Sequence, residues 1–233
     1  MTTKGILTLF FTFTVLTLSA QSFHFGPKGG AGIGYQQWNN SDRSPILAGH
    51  IDLFMETLDD DGKGAIYGQL GLHTRGSSIR VRNIFTNRVR GTSFRYQNIS
   101  LGGGIKKRLD IDRNPTFFYQ AGIRGEYTIN TNLDELELSN INGTFPVETF
   151  VRKFNYGITV GGGLEFDLGR NFKPFLEFNF MPDLSAQYDQ FQSFDVQDPF
   201  TGQIRTISPR TVRNITLEVT LGLKFLREVI YVN

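Results

Sequence analysis

Residues 117–129, which read FFYQAGIRGEYTI, decide the fold. The odd-numbered positions hold Phe, Tyr, Ala, Ile, Gly, Tyr and Ile, whereas the even-numbered positions include Gln, Arg, Glu and Thr. Successive side chains of a strand point to opposite faces, so this alternation predicts a strand with one apolar face and one polar face. The run is long enough for a tilted strand to cross the hydrocarbon layer, which takes ~9–11 residues, whereas soluble strands are mostly about half as long.

The same alternation recurs along the chain, and helix-period patterns are scarce. The other segments that show it are 27–37, 46–55, 65–75, 94–106, 154–168, 172–181 and 215–225. Together with 117–129 they give about eight strands, the minimum for a membrane barrel. The sequence therefore predicts an all-β fold, a closed antiparallel up-and-down transmembrane barrel.

The connections between these segments alternate in length after the first one. Short turns are predicted at 59–64, 110–115 and 169–171, and longer loops at 38–44, 77–92, 130–149 and 182–210. The short ones carry Asp-Gly, Asn-Pro or Gly-Arg-Asn, which reverse a chain sharply. Outer-membrane barrels have short periplasmic turns and longer outer loops, so the pattern predicts an integral bacterial outer-membrane protein with both termini in the periplasm.

The N-terminus has the three parts of a secretory signal. Lys4 precedes an apolar run over 6–18, and Ser19 and Ala20 form a small-residue cleavage site. The run is short for a spanning helix, so we interpret 1–20 as a cleaved signal peptide and 21–233 as the barrel domain, with a membrane anchor as the alternative.

Composition excludes several classes of protein. The formal net charge of +2 gives no basic field for nucleic acid. The absence of Cys removes disulfides, thiolate metal sites, Cys nucleophiles and the lipid-modified Cys of lipoproteins. A soluble sandwich or lipocalin-like barrel shows the same alternation and stays open as an alternative. Strand length, loop asymmetry and aromatic residues at the strand ends favour the membrane.

The polar faces of the predicted strands would line the interior. We expect a charge network there, with Gln69 and His73 beside it, formed by Lys28, His50, Asp52, Lys106, Arg124, Glu126, Glu165, Glu177, Glu218 and Lys224. An eight-stranded barrel is just wide enough for its own side chains, so nearly balanced charges indicate an ion-paired plug. A narrow pore is the alternative.

We expect no cofactor and no metal. His50 and Asp52 share a face, which more often indicates a hydrogen bond than a metal site. The glycine-rich segments lack the helix that a phosphate-binding loop would open. His73 with Ser77 and Ser78 could form a lipid-deacylating pair, although no acidic partner is identifiable.

The longest loop carries an aromatic cluster. Loops on a rigid scaffold often bind partners, and Phe191, Phe194 and Phe200 lie together in the segment 182–210. We expect a non-enzymatic structural or accessory barrel whose outer loops contact another protein.

Three features resemble a known family. The cleavage site at 19–21, the opening FGPKGGAGIG strand at 25–34 and the aromatic last strand are similar to the PorT-like outer-membrane β-barrels of Bacteroidetes. The resemblance covers the mature chain as a pattern. It implies an eight-stranded barrel in outer-membrane lipid, inserted by the barrel assembly machinery through the last strand, 211–231. Some members resemble accessory parts of the type IX secretion system, and the family supplies no catalytic motif.

Overall fold

The structure is a computed structural model. It describes residues 23–38, 43–57, 59, 62–82, 89–109, 114–137, 146–169, 172–197 and 203–227. The predicted signal peptide, 1–20, lies outside these residues. No helix in the described part of the chain is long and apolar enough to cross a membrane.

Eight long strands form the body of the molecule. They are β1 Phe23–Trp38, β2 Ile46–Thr57, β3 Gly64–Arg82, β4 Val89–Leu109, β5 Thr116–Thr131, β6 Phe154–Glu165, β7 Phe172–Pro182 and β11 Arg210–Arg227. The smaller elements are α1 Leu133–Glu137, a 3-10 helix Glu148–Phe150, and the short strands β8 Tyr188–Gln190, β9 Ser193–Gln197 and β10 Ile204–Ile207.

The long strands close into a barrel. Each of them pairs antiparallel with its neighbour in chain order, and β11 pairs with β7 on one side and with β1 on the other. The closing register runs from Phe23 opposite Arg227 to Trp38 opposite Val212. The predicted transmembrane barrel of about eight strands is confirmed.

The barrel has two different ends. Connections at one end, here called the turn end, span only 58–63, 110–115 and 166–171, and β1 begins and β11 finishes there. The opposite end, here called the loop end, carries α1, the 3-10 helix and β8 to β10. β8 extends the sheet by pairing with the start of β11, and β9 and β10 form a separate hairpin.

The barrel is apolar outside and polar inside. Exposed side chains around the wall are mostly Ile, Leu, Val and Phe, whereas Lys, Arg, Asp and Glu are buried within. Exposed aromatic residues border this wall, such as Phe25 and Phe117 towards the turn end and Tyr35 and Tyr127 towards the loop end. These borders are about ten residues apart, ~33 Å along a strand, which a tilt of about 40° reduces to the ~25 Å of a lipid-facing band.

Several predicted boundaries were wrong. The expected loop at 77–92 is largely strand, since β3 continues to Arg82 and β4 begins at Val89. The strand predicted at 154–168 ends at Glu165. The segment 182–210, predicted as one loop, contains β8, β9 and β10. The stretch 77–92 is rich in Arg, Ser, Thr and Asn and therefore resembles a loop, whereas 166–168 keeps the apolar alternation after the strand has ended.

Candidate functional site in the barrel interior and its mouth

The turn end of the interior holds a cluster of two carboxylates and three cations. Lys224 Nζ donates to Glu56 at 2.6 Å and to Glu165 at 2.5 Å. Lys106 Nζ donates to the second oxygen of Glu56 at 3.0 Å. Arg108 donates to both acids, and its Nε lies 2.9 Å from Glu165 Oε2. Each cation thus contacts both carboxylates, which ties β2, β4, β6 and β11 together across the interior.

Aromatic side chains pack against this cluster. The rings of Phe54 and Phe175 meet edge to face, with centroids 5.3 Å apart. Lys106 Nζ lies 4.3 Å from the centroid of the Phe118 ring, within reach of a cation–π interaction. These rings fill the space between the turn-end cluster and the polar groups nearer the loop end.

A second network lies nearer the loop end and is built around Arg75. This fully buried guanidinium donates to Glu218 at 2.6 Å and to Glu126 at 2.7 Å. Arg124 continues the network, with its Nε 3.0 Å from Glu126 and a second ion pair to Asp183. Both arginines therefore have carboxylate partners on two sides, the condition under which buried charge is tolerated.

Two histidines join this network. His73 lies between Asp52, 2.9 Å from Nε2, and Glu218, 3.1 Å from Nδ1. The His50 ring stacks on the His73 ring with centroids 5.2 Å apart, and its Nε2 lies 2.9 Å from the Thr220 hydroxyl. Ligand-type atoms of His50, His73 and Glu218 lie within 4.8 Å of one another. The Arg75 guanidinium already contacts that glutamate, so the described geometry is that of a hydrogen-bonded charge network.

Above the charges lies a layer of amides. Gln36 Nε2 donates to Asn214 Oδ1 at 2.9 Å, and Gln36 Oε1 accepts from the Ser77 hydroxyl at 2.7 Å. Asn214 Nδ2 in turn donates to Asp183 at 2.7 Å and to Gln187 at 3.1 Å. These bonds connect the second network to the segment that follows β7.

An aromatic roof closes the loop end. Tyr188 of β8 is fully buried and stacks on Trp38, with centroids 6.0 Å apart. A neighbouring buried group contains Phe94, Tyr96 and Leu133, the first residue of α1. α1, the 3-10 helix and β8 thus fold over the mouth of the barrel.

The structure places all of the predicted network inside the barrel. The buried residues among those expected from sequence are Lys28, His50, Asp52, Gln69, His73, Lys106, Arg124, Glu126, Glu165, Glu177, Glu218 and Lys224. Lys28 and Glu177, for example, form an ion pair of 2.9 Å. The grouping of these buried residues into separate pairs and networks could not be read from the sequence.

Among the described residues, sequence reasoning missed two arginines and two carboxylates of the interior. Glu56, Arg75, Arg108 and Asp183 are all buried. Each lies at or just beyond the end of a predicted segment. The inward parity of β2, β3 and β4 continues through Glu56, Arg75 and Arg108, so extending each segment by up to two residues would have found them.

The other predicted sites are the His73 and serine pair and the aromatic cluster of the longest loop. Both ring nitrogens of His73 face carboxylates, Ser77 donates to Gln36, and Ser78 bonds to the backbone of Ser44, so the described contacts do not form a deacylating pair. Phe191 is exposed after β8. Phe194 belongs to β9, whose side chains are outside the described part of the chain, and Phe200 lies outside the described residues.

Comparison with known proteins gives only distant structural matches. No family description and no curated protein match the sequence. The solved structure of Neisserial surface protein A aligns over 87% of this chain and 96% of its own, with a TM-score of 0.45 and 10% identity. Ail of Yersinia pestis, in complex with the heparin analogue sucrose octasulfate, aligns over 87% and 99%, with a TM-score of 0.41 and 11% identity.

A third neighbour is an enzyme. The outer membrane protease OmpT from Escherichia coli aligns over 88% of this chain and 97% of its own, with a TM-score of 0.35 and 10% identity. The barrel architecture of this chain therefore rests on its own strand pairing.

Proposed function

We propose that the chain is a bacterial outer-membrane barrel that does not conduct and is not an enzyme, and that its loop end binds a partner. It would be exported by the signal peptide, inserted by the barrel assembly machinery and seated in outer-membrane lipid, with both termini in the periplasm. The observation that carries the proposal is the filled interior. Two ion-paired networks, the amide layer and the aromatic roof occupy the interior one after another from the turn end to the loop end.

Conduction would require these networks to open. An ion moving through the barrel would have to separate buried pairs such as Arg75 and Glu218, and breaking one such pair is strongly unfavourable. Open aqueous channels are found in barrels with about twice as many strands. The interior therefore acts as a rigid support, and binding falls to the loop end.

Planar-bilayer recording tests the closed interior. We expect wild-type protein to show no steps above the bare-bilayer baseline. The Arg75→Ala/Arg124→Ala variant, which removes both arginines of the second network, should show fluctuating conductance. Wild-type steps that scale with salt concentration would contradict the proposal. Membrane fractionation with a heat-modifiable gel shift checks the location and the fold of both proteins.

A partner at the loop end is supported by the exposed Phe191. An apolar side chain with 74% exposure at the loop end is suited to docking. The resemblance to PorT-like barrels makes a secretion-system protein, or another outer-membrane protein, the first partner to test.

Crosslinking in intact cells tests this partner. Phe191→Ser should abolish a specific crosslink formed from the loop end. Leu168→Ser removes an apolar residue of similar exposure, 70%, at the turn end and should leave the crosslink intact. Equal crosslinking in both variants would remove Phe191 from the contact.

A further inference from the structure

Two arginines at the mouth of the barrel are arranged unlike those inside it. Arg43 precedes β2, and its guanidinium carbon lies 4.0 Å from the centroid of the Trp38 ring and 5.1 Å from that of Phe94. Only 8% of the residue is exposed. Arg210 is the first residue of β11, two residues before the buried Val212, which pairs with Trp38. Both arginines therefore lie beside the aromatic roof.

Three of their donor nitrogens lack acceptors in the described part of the chain. Arg43 Nε, Arg43 Nη1 and Arg210 Nε are buried there without a hydrogen-bond partner. Among the described residues, no carboxylate forms an ion pair with either arginine, whereas Arg75, Arg108 and Arg124 in the interior each contact two. A buried charged donor without an acceptor is unfavourable, so this is a place where an anion from outside the chain would be stabilised.

The positive charges of Arg43 and Arg210 also repel each other. Burial, followed by the nearby charge of Arg210, lowers the pKa of Arg43 to about 10. The group stays protonated at neutral pH, and the repulsion remains. An anion between the two guanidinium groups would neutralise both.

We propose that Arg43 and Arg210 bind a phosphate dianion at the mouth of the barrel, either free or as the monoester of a sugar. One dianion balances two guanidinium charges, whereas one carboxylate balances only one. Guanidinium groups also match the oxygens of phosphate with paired, charge-assisted hydrogen bonds. The inference rests on the proposed function in one respect, since the loop end must face the outside medium for the site to be used.

The fluorescence of Trp38 can be used to measure phosphate binding. It is the only tryptophan of the chain, and Arg43 stacks on it, so its fluorescence reports on the site. Folded protein in micelles is titrated with inorganic phosphate and with glucose 6-phosphate, against sodium chloride at matched ionic strength. We expect a saturable change in Trp38 emission with a phosphate compound and none with chloride. A response to inorganic phosphate alone identifies the free ion, and a stronger response to glucose 6-phosphate identifies a phosphorylated sugar.

Variants assign the response to the two arginines. Arg43→Gln and Arg210→Gln should each weaken binding at least about tenfold, the scale of a lost charge-assisted pair. Arg213→Gln removes the same charge from an exposed position of the same strand and should bind as wild type. The gel shift shows whether each variant is folded. If Arg43→Gln does not fold, Arg210→Gln still tests the site, because Arg210 lies at the end of a strand and tolerates substitution better.

Two outcomes would overturn the site: an equal response to chloride, or unchanged phosphate binding in both glutamine variants. Because micelle binding does not depend on orientation or on a partner, this failure is distinguishable from failure of the crosslinking or conductance tests.

Discussion

Lys28 and Glu177 face each other across the interior, 2.9 Å apart and almost fully buried. Replacing Lys28 with Met leaves the Glu177 carboxylate buried, with Asn179 as its remaining donor among the described residues. We expect Lys28→Met to lower the free energy of unfolding by about 3–5 kcal/mol, the usual effect of removing one member of a buried pair. Urea titration of the protein in lipid vesicles measures this change in the free energy of unfolding.

The exposed pair of Arg152 and Asp189 is the matched control. The Arg152 side chain is 54% exposed, so solvent screens the charges, and Arg152→Gln should change the free energy of unfolding by less than about 1 kcal/mol. The double variant Lys28→Met/Glu177→Gln should recover much of the lost stability, because no charge is then left unpaired. Equal effects of Lys28→Met and Arg152→Gln would mean that water reaches the interior pair.

At the scale of elements, glycine has two different roles in these strands. A Cβ added at Gly222 of β11 would lie 2.8 Å from Lys28 Cβ and closer still to the Phe175 ring, which is itself held by Phe54. At Gly49 of β2 the nearest atom to an added Cβ is the Gly30 carbonyl oxygen, at 3.7 Å.

Valine at these two glycines should therefore have opposite effects. Gly222→Val overfills the interior and should destabilise the barrel by about 1–3 kcal/mol. Gly49→Val adds a β-branched side chain on the exposed outer face and should be neutral or stabilising. The urea midpoints of the two variants test this, and a destabilised Gly49→Val with an unaffected Gly222→Val would reverse the assigned faces.

Period-two alternation predicts the strands and their inward faces because lipid on one side and a filled interior on the other impose opposite polarity at each position. It did not reveal the outer end of β3, where Ile79 and Val81 keep the alternation but the surrounding Ser and Arg residues resemble a loop. The roof could not be predicted either, since Trp38, Leu133 and Tyr188 are far apart in sequence, and period two carries no information on how loops fold back.

The mouth shows the same limit for the candidate site. Arg43 alone in a polar segment reads as a solvated charge. Its place in the candidate site depends on its proximity to Trp38, Phe94 and Arg210, which only barrel closure brings together. The interior network was predictable because each strand contributes residues by parity, whereas the unpaired arginines are a property of the assembled end.

At the scale of the whole molecule, the apolar band on the outer surface should determine the depth of each residue in the membrane. Ile51 is 60% exposed near the middle of β2, where it pairs with Gly29 and Leu72. Tyr35 lies close to the loop-end border of the band. If the band faces lipid, arginine at the midplane should cost about 2–4 kcal/mol and arginine near the border about 0–1 kcal/mol.

We therefore expect Ile51→Arg to lower the free energy of unfolding in vesicles by a few kcal/mol, and Tyr35→Arg to change it little. The physical reason is depth: a charge near the border reaches water, whereas a charge at the midplane must be drawn through hydrocarbon. In detergent micelles, which deform around a charged side chain, the difference between the two variants should shrink. Equal, small effects of both variants in vesicles would contradict a lipid-facing band, because exposed arginines on a wall in water have no depth to distinguish them.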